Sequence, residues 1–428
     1  MAVGRMINRK NVLDHFENVL FCMILMKGMG APGSISGLLP PIVVSGWNAV
    51  NTFSSLAFAA IILCRSRGRA PKAYLRVYLF GIYVFFTGLL VSNFSQSVLI
   101  NSGKLLLTML CSVYFGSTRS KQETVNTIAI SQLIVSLMIV YMILIGYGGV
   151  AVSDGLFAFN LIGLYTTKNS CGYEMVFGAL IFYFCFRDSK GFWKKLFWLA
   201  LALGQFYLST LSRAVGATAT GLLTIVIFEV FLRRKGRIDL AKFYIGVNTA
   251  FWVFVGAVLP SVGFLLQRIG KSVTLTGRTI IWKSIIIFVS GIHRWLGYGY
   301  GGFWDNAEYT DSLYELYHQF AFRSGIVGGH NLVMELYINV GIIGVLLFFV
   351  MVCTFLKKSK QCDVRDMGFE IICLSFLAIR GLMERTLNAT TYDTMALFLV
   401  MGSLTHTAAI TKKEHQNEGV CIENWQEK

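Results

Sequence analysis

Charge is scarce in this chain of 428 residues: Asp, Glu, Lys and Arg make up 14% of it, where a soluble domain carries about 25%. Proline is scarcer still, with 5 residues, which excludes collagen-like and Pro-rich disordered sequences. The 9 cysteines are scattered without a CxxC pair, so neither a disulfide scaffold nor a thiolate zinc site is encoded. A P-loop, a GxSxG nucleophile turn and two histidines at i and i+4 are also missing. What fills the chain is apolar, with 55% hydrophobic residues and a mean hydropathy of +0.61. Such a composition is that of a polytopic membrane protein.

One crossing of the hydrocarbon core takes about 20 mostly apolar residues. Apolar stretches at roughly 16–33, 47–64, 74–92, 96–115, 124–146, 172–186, 195–211, 214–232, 243–262, 332–356, 367–384 and 392–410 predict an all-α protein of about twelve transmembrane helices. The first stretch holds Lys27 and is followed by MGAPGSISGLLPP, which predicts a tilted, broken or re-entrant helix. Arg5, Arg9 and Lys10 precede it without a small-residue cleavage site, as in an uncleaved anchor.

Basic clusters recur at every second connection: Arg65 to Arg76, Arg119 with Lys121, Arg187 to Lys195, Arg233 to Lys242, Lys357 to Arg365, and both tails. The positive-inside rule makes these cytoplasmic, with both termini inside. The net charge of +16 is then mostly topology, and nucleic acid is not expected as a partner. Residues 1–262 carry helices one to nine, 263–331 form one long extracytoplasmic loop, 332–410 carry helices ten to twelve, and 411–428 are a cytoplasmic tail.

Loops longer than about 12–15 residues are usually functional or disordered, and this one is too aromatic for disorder. Within it, Ile280 to Ile292 predicts a helix in the outer interface, and DSLYELYHQFAF at 311–322 one packed on helix ends. LGYGYGGFW, 296–304, reads as a tight turn carrying Tyr298, Tyr300, Phe303 and Trp304, a sugar-stacking or interface-anchored wall.

Topology accounts for 26 of the 38 Lys and Arg and leaves twelve on the outer side. Among these, Arg213 ends the seventh span in STLSRAVG, Arg278 opens the apolar loop helix in TLTGRTIIW beside Trp282, and Arg380 lies in IRGLMERT. Snorkelling to lipid headgroups is the plain alternative for Arg213, and an i,i+4 pair with Glu384 the plain alternative for Arg380. His330, with Asn331, opens the tenth span behind two glycines. A neutral imidazole there can accept a proton from a hydroxyl, or can merely cap a helix. Asp305, Glu308 and Asp311 could cluster on a hard cation but read better as a solvated face, so no metal is expected.

The SR of 212–213, TGRTIIW at 276–282, LGYGYGGFW, HNLVMELYINVGIIG at 330–344 and IRGLMERT together resemble the O-antigen ligase and Wzy-type polysaccharide polymerase superfamily. The spacing is most similar to its exopolysaccharide-polymerase branch, as is GLYTTKNSCG with its Lys168–Asn169 pair. The resemblance covers about 160–405. It implies a GT-C-like glycosyltransferase of the bacterial inner membrane, without metal or other cofactor. Such an enzyme works on the periplasmic face with undecaprenyl-diphosphate-linked glycan as donor and acceptor, among membrane lipid and other polysaccharide-assembly proteins. Arg213 and Arg278 match arginines taken to bind the diphosphate, and His330 a histidine implicated in activating the acceptor. Arg380, Lys168, Asn169, Asn331, Trp282, Tyr298 and Trp304 are the further substrate-binding candidates. The chemistry agrees: a leaving diphosphate without a metal needs guanidinium groups, whose planar fork grips phosphate oxygens in pairs. Polymerase and ligase share these motifs and differ in acceptor. A lipid-linked oligosaccharide flippase is the competing class, although its polar residues belong near the midplane rather than on one face.

Overall fold

The computed structural model describes residues 2–30, 41–65, 74–92, 95–146, 149–151, 159–165, 167–234, 236–261, 275, 277–318 and 328–426. Residues 263–274, 276 and 319–327 of the expected 263–331 loop, and the MGAPGSISGLLPP stretch beyond Gly30, with Pro41 taken up as the first residue of a helix, lie outside these residues.

The described chain is nearly all helical. In order it runs α1 (Ala2–Gly28), α2 (Pro41–Arg65), α3 (Leu75–Val91), α4 (Gln96–Thr118) and α5 (Lys121–Leu144). A pair of three-residue antiparallel strands follows, Gly149–Ala151 and Phe159–Leu161, the only departure from the all-α expectation among the described residues. Then come α6 (Lys168–Asp188), α7 (Phe192–Leu211), α8 (Val215–Arg233), α9 (Leu240–Val253), α10 (Arg278–Phe288), α11 (His293–Leu296), α12 (Ala307–His318), α13 (Leu332–Leu356), α14 (Gly368–Met383) and α15 (Tyr392–Gln426).

A helix stands at each of the twelve expected positions, but seven among the described residues are long and apolar enough to cross a membrane by length and composition. The others fall short for visible reasons. α3 has 17 residues and α14 16, α6 carries Lys168, Glu174, Arg187 and Asp188, and α7 carries Lys194 and Lys195. α1 is unbroken to Gly28, so Lys27 does not interrupt it; the cation closes its last turn, where the helix dipole favours positive charge. The chain is a multi-pass membrane protein.

Its helices are apolar on two sides. Phe21, Phe58, Phe115, Phe177 and Phe348 pack inside, while Leu222, Leu346 and Val350 face outward on the helices that are apolar throughout, the arrangement of a bundle in lipid rather than water. The ends bearing the basic clusters come together. Arg65 at the end of α2 and Arg119 after α4 both pair with Asp14 of α1, Lys121 donates to the Asp366 carbonyl at 3.1 Å, and Lys360 meets Asp239 at 2.9 Å. Reporter fusions should accordingly read the same side at residue 428 as at residue 236, and the opposite side at residue 300. One shared signal at all three positions would refute the alternation.

The loop segment 291–306 is packed into the bundle. Tyr298 N–H donates to the Ile338 carbonyl at 2.8 Å and the Gly301 N–H to Asn339 Oδ1 at 2.9 Å. This docking requires Gly341, whose φ of 66° kinks α13 and whose missing Cβ would lie 2.2 Å from the Trp295 backbone. α10 and α12 stand near the two helices expected inside the loop, with α12 shifted by about a turn toward the N-terminus.

Candidate functional site

Four helix N-termini converge on one cleft of about 740 Å³. α6 presents Lys168 and Asn169, the α7–α8 turn Arg213, α10 Arg278, and the turn before α13 His330; the end of α14 closes the cleft with Glu384. Helix N-termini carry unsatisfied N–H groups and a partial positive charge, so this convergence adds to three cationic side chains in favouring an anion.

The backbone is strained where the side chains meet. Among the described residues only Arg213, Leu275 and His330 combine a side chain with positive φ, at 52°, 45° and 45°, and all three line this cleft. Non-glycine residues held there cost of order 1–3 kcal/mol each and cluster at ligand sites. The His330 turn is held from two sides. Buried Trp282 donates its indole N–H to the Gly329 carbonyl at 2.8 Å, while Glu335 accepts the Gly329 N–H at 2.8 Å and the Trp304 indole N–H at 2.9 Å. Asn331 caps α13 through the Val333 and Met334 N–H groups and donates to the Leu382 carbonyl at 2.9 Å.

At the centre stands Glu384. One carboxylate oxygen accepts from Arg278 Nη2 at 2.6 Å, and the other lies 3.3 Å from His330 Nδ1. Burial by itself would push this carboxyl up, but the His330 hydrogen bond and the Arg278 and Arg380 charges outweigh it and hold it below the usual glutamate range. An ionised Glu384 can only accept, so Nδ1 is the donor in this contact, and in the neutral tautomer that fits it Nε2 is the nitrogen with the lone pair. A neutral imidazole oriented in this way by a third group can act as a base toward a hydroxyl.

A depressed pKa gives a contribution to stability that is complete above the ordinary value of 4.5 and is lost as pH falls through the lowered value. Glu384→Gln should lower Tm at neutral pH and flatten the acid limb of Tm against pH below the ordinary glutamate value of 4.5. Parallel acid limbs for wild type and variant would show that the carboxylate has no such role.

The structure brings Lys168, Asn169, Arg213, Arg278 and His330 of the sequence candidates into the cleft, and rearranges the others. Arg380 forms no side-chain ion pair with Glu384: the Glu384 N–H still donates to the Arg380 carbonyl at 2.9 Å, but α14 ends at Met383 and Glu384 is extended, and Arg380 instead reaches Asp393 at 2.7 Å. Tyr298 is no exposed sugar platform. It is buried in a cluster with Phe303 and stacks on His293 at 4.0 Å. Trp282, Trp304 and Asn331 are not among the residues lining this cleft and brace the turn that carries His330, because each has an N–H that must be satisfied once buried. Asp305 accepts from Asn101 at 3.3 Å, and the described residues hold no group of three metal-ligating side chains. Glu384 was the missed partner. Sequence offered it only as an i,i+4 pair for Arg380, and nothing in its spacing ties it to Arg278 or His330, which are 106 and 54 residues away.

No protein-family model matches the sequence. The chain is similar to the exopolysaccharide production protein ExoQ of Rhizobium meliloti (strain 1021), with 25% identity over 289 residues. The match covers 63% of this chain and 64% of the relative, so the chain spans somewhat less than two thirds of the protein it matches.

Proposed function

We propose that the chain is an integral-membrane glycosyltransferase that polymerises undecaprenyl-diphosphate-linked oligosaccharide repeat units, in the manner of Wzy-type polymerases, on the extracytoplasmic face of the bacterial inner membrane. The observation that carries this reading is the Arg278–Glu384–His330 cluster in a cationic cleft at converging helix N-termini. Similarity to a protein of exopolysaccharide production supports it.

In this reading Lys168, Arg213 and Arg278 receive the diphosphate of the donor. His330 Nε2 takes the proton of an acceptor hydroxyl as its oxygen bonds to the anomeric carbon. The bond from that carbon to the diphosphate oxygen breaks, and its electron pair leaves on the diphosphate. Two guanidinium groups stabilise that charge. A diphosphate leaves as a stable anion under this much positive charge, so the residues need no metal to complete the step.

Deletion of the gene in its native strain, followed by a gel of the surface glycan, tests the proposal. Loss of a polymerase should leave single repeat units in place of long chains. Unattached long polymer on carrier lipid would identify a ligase instead, and carrier-linked units trapped inside the cell a flippase.

A further inference from the structure

Tyr173 and Glu384 line the cleft on one side and a second chamber on the other. The second chamber encloses about 440 Å³ between the end of α1, the first two turns of α6 and the turn from α14 into α15. Its charge is balanced: Lys27, Arg380 and Arg385 face Glu174, Glu384 and Asp393. In the first cleft Lys168, Arg213 and Arg278 face Glu384 alone. By formal charge the first cleft is therefore the more favourable of the two for an anion. Arg380 is also committed to the protein, 2.7 Å from Asp393 and stacked 4.8 and 5.0 Å from the ring centres of Tyr173 and Tyr392.

Polar atoms in the second chamber lack partners. Glu174 Oε1 and the hydroxyls of Tyr165 and Tyr392 are buried without a hydrogen-bond partner in the protein, and all three residues line the chamber. Glu174 is 1% exposed and Tyr392 3%. A buried polar group left without a partner costs about 1–3 kcal/mol, so three around one space point to a ligand that satisfies them. A carboxylate that accepts, two phenols that donate or accept, and the amide and hydroxyl of Asn388 and Thr390 at the rim call for many hydroxyls. An uncharged sugar offers such hydroxyls.

We propose that this chamber is the subsite for the saccharide acceptor, which presents its attacking hydroxyl to His330 beside Glu384 while the first cleft holds the donor diphosphate. This rests on the glycosyltransferase reading above and assigns Tyr165, Glu174 and Tyr392 to acceptor binding. The acceptor hydroxyl loses its proton to His330 Nε2 and its oxygen replaces the diphosphate oxygen on the anomeric carbon, so the step needs no further reactant.

The test uses the full-length protein in nanodiscs with two probes: the phosphate-free repeat-unit oligosaccharide released from the producing strain's surface polysaccharide, and inorganic pyrophosphate. Tyr392→Phe keeps the ring and should weaken oligosaccharide binding about five-fold, the worth of one hydrogen bond. Thr390→Trp narrows the rim and should weaken it by about ten-fold or more. Both should leave pyrophosphate binding unchanged, while Arg278→Ala should do the reverse. Oligosaccharide affinity indifferent to both chamber variants, or pyrophosphate affinity falling with it, would overturn the subsite. Binding is read without turnover, so the two readings fail separately. A protein that binds the oligosaccharide through Tyr392 yet transfers no glycan keeps the subsite and loses the glycosyltransferase reading. One that transfers glycan but ignores both chamber variants loses the subsite alone.

Discussion

His330→Ala is expected to slow glycan transfer by about 10²–10⁴-fold, the usual worth of a positioned general base, while binding of the donor diphosphate stays nearly intact. The reason is geometric. Glu384 holds Nδ1 of the imidazole at 3.3 Å and leaves Nε2 to the hydroxyl, whereas Lys168, Arg213 and Arg278 remain in place for the diphosphate. Alanine is strained at the φ of 45° that His330 adopts, so the variant that separates chemistry from folding is His330→Asn. Asparagine accepts the left-handed conformation and still donates to Glu384, but it cannot take a proton. His330→Asn should insert with the thermal stability of wild type and transfer as slowly as His330→Ala. Transfer at the wild-type rate in either variant would reduce His330 to a helix-start residue.

Arg278→Ala should weaken use of the donor by about 10–150-fold, from the roughly 1.5–3 kcal/mol of a charged hydrogen bond, and Arg278→Lys should retain part of it. Lysine keeps the charge and loses the fork that allows one edge of the guanidinium to hold Glu384 at 2.6 Å while the other faces the diphosphate. The alanine variant also leaves Glu384 with a single strong partner. His330 then carries more of that carboxylate's charge, and the pH dependence of transfer should change along with the donor KM. Steady-state kinetics with carrier-linked donor at several pH values read both effects. A donor KM equal to wild type in Arg278→Ala would remove Arg278 from diphosphate binding.

The sequence by itself determined what depends on local composition. Twenty-residue apolar runs can satisfy their backbone in lipid only as helices, and a helix stands at every one of the twelve positions they mark. Alternating basic clusters marked helix ends expected on one side, because charge beside a span is a local property, and the ion pairs Arg65–Asp14–Arg119 and Lys360–Asp239 lie at such ends. Arg213, Arg278 and His330 were legible as cations and a base left over where topology asks for none.

Only the tertiary structure decided how these residues are paired. Whether Glu384 meets Arg380 four residues away or Arg278 more than a hundred away depends on where α14 ends. At Met383 the backbone turns extended and carries the carboxylate across to α10 and α13. The aromatic run of 296–304 read as a wall because aromatic residues in an outer loop suit either packing or sugar. Its burial was decided by the kink at Gly341, which lets the loop backbone reach α13. Hydrogen-bond demand explains the same outcome for Trp282 and Trp304, since an indole N–H in a packed interior takes the nearest free acceptor, here around Gly329. The second chamber had no sequence signal at all. Glu174, Tyr165 and Tyr392 come from three separate segments, and their shared lack of partners exists only once those segments are packed.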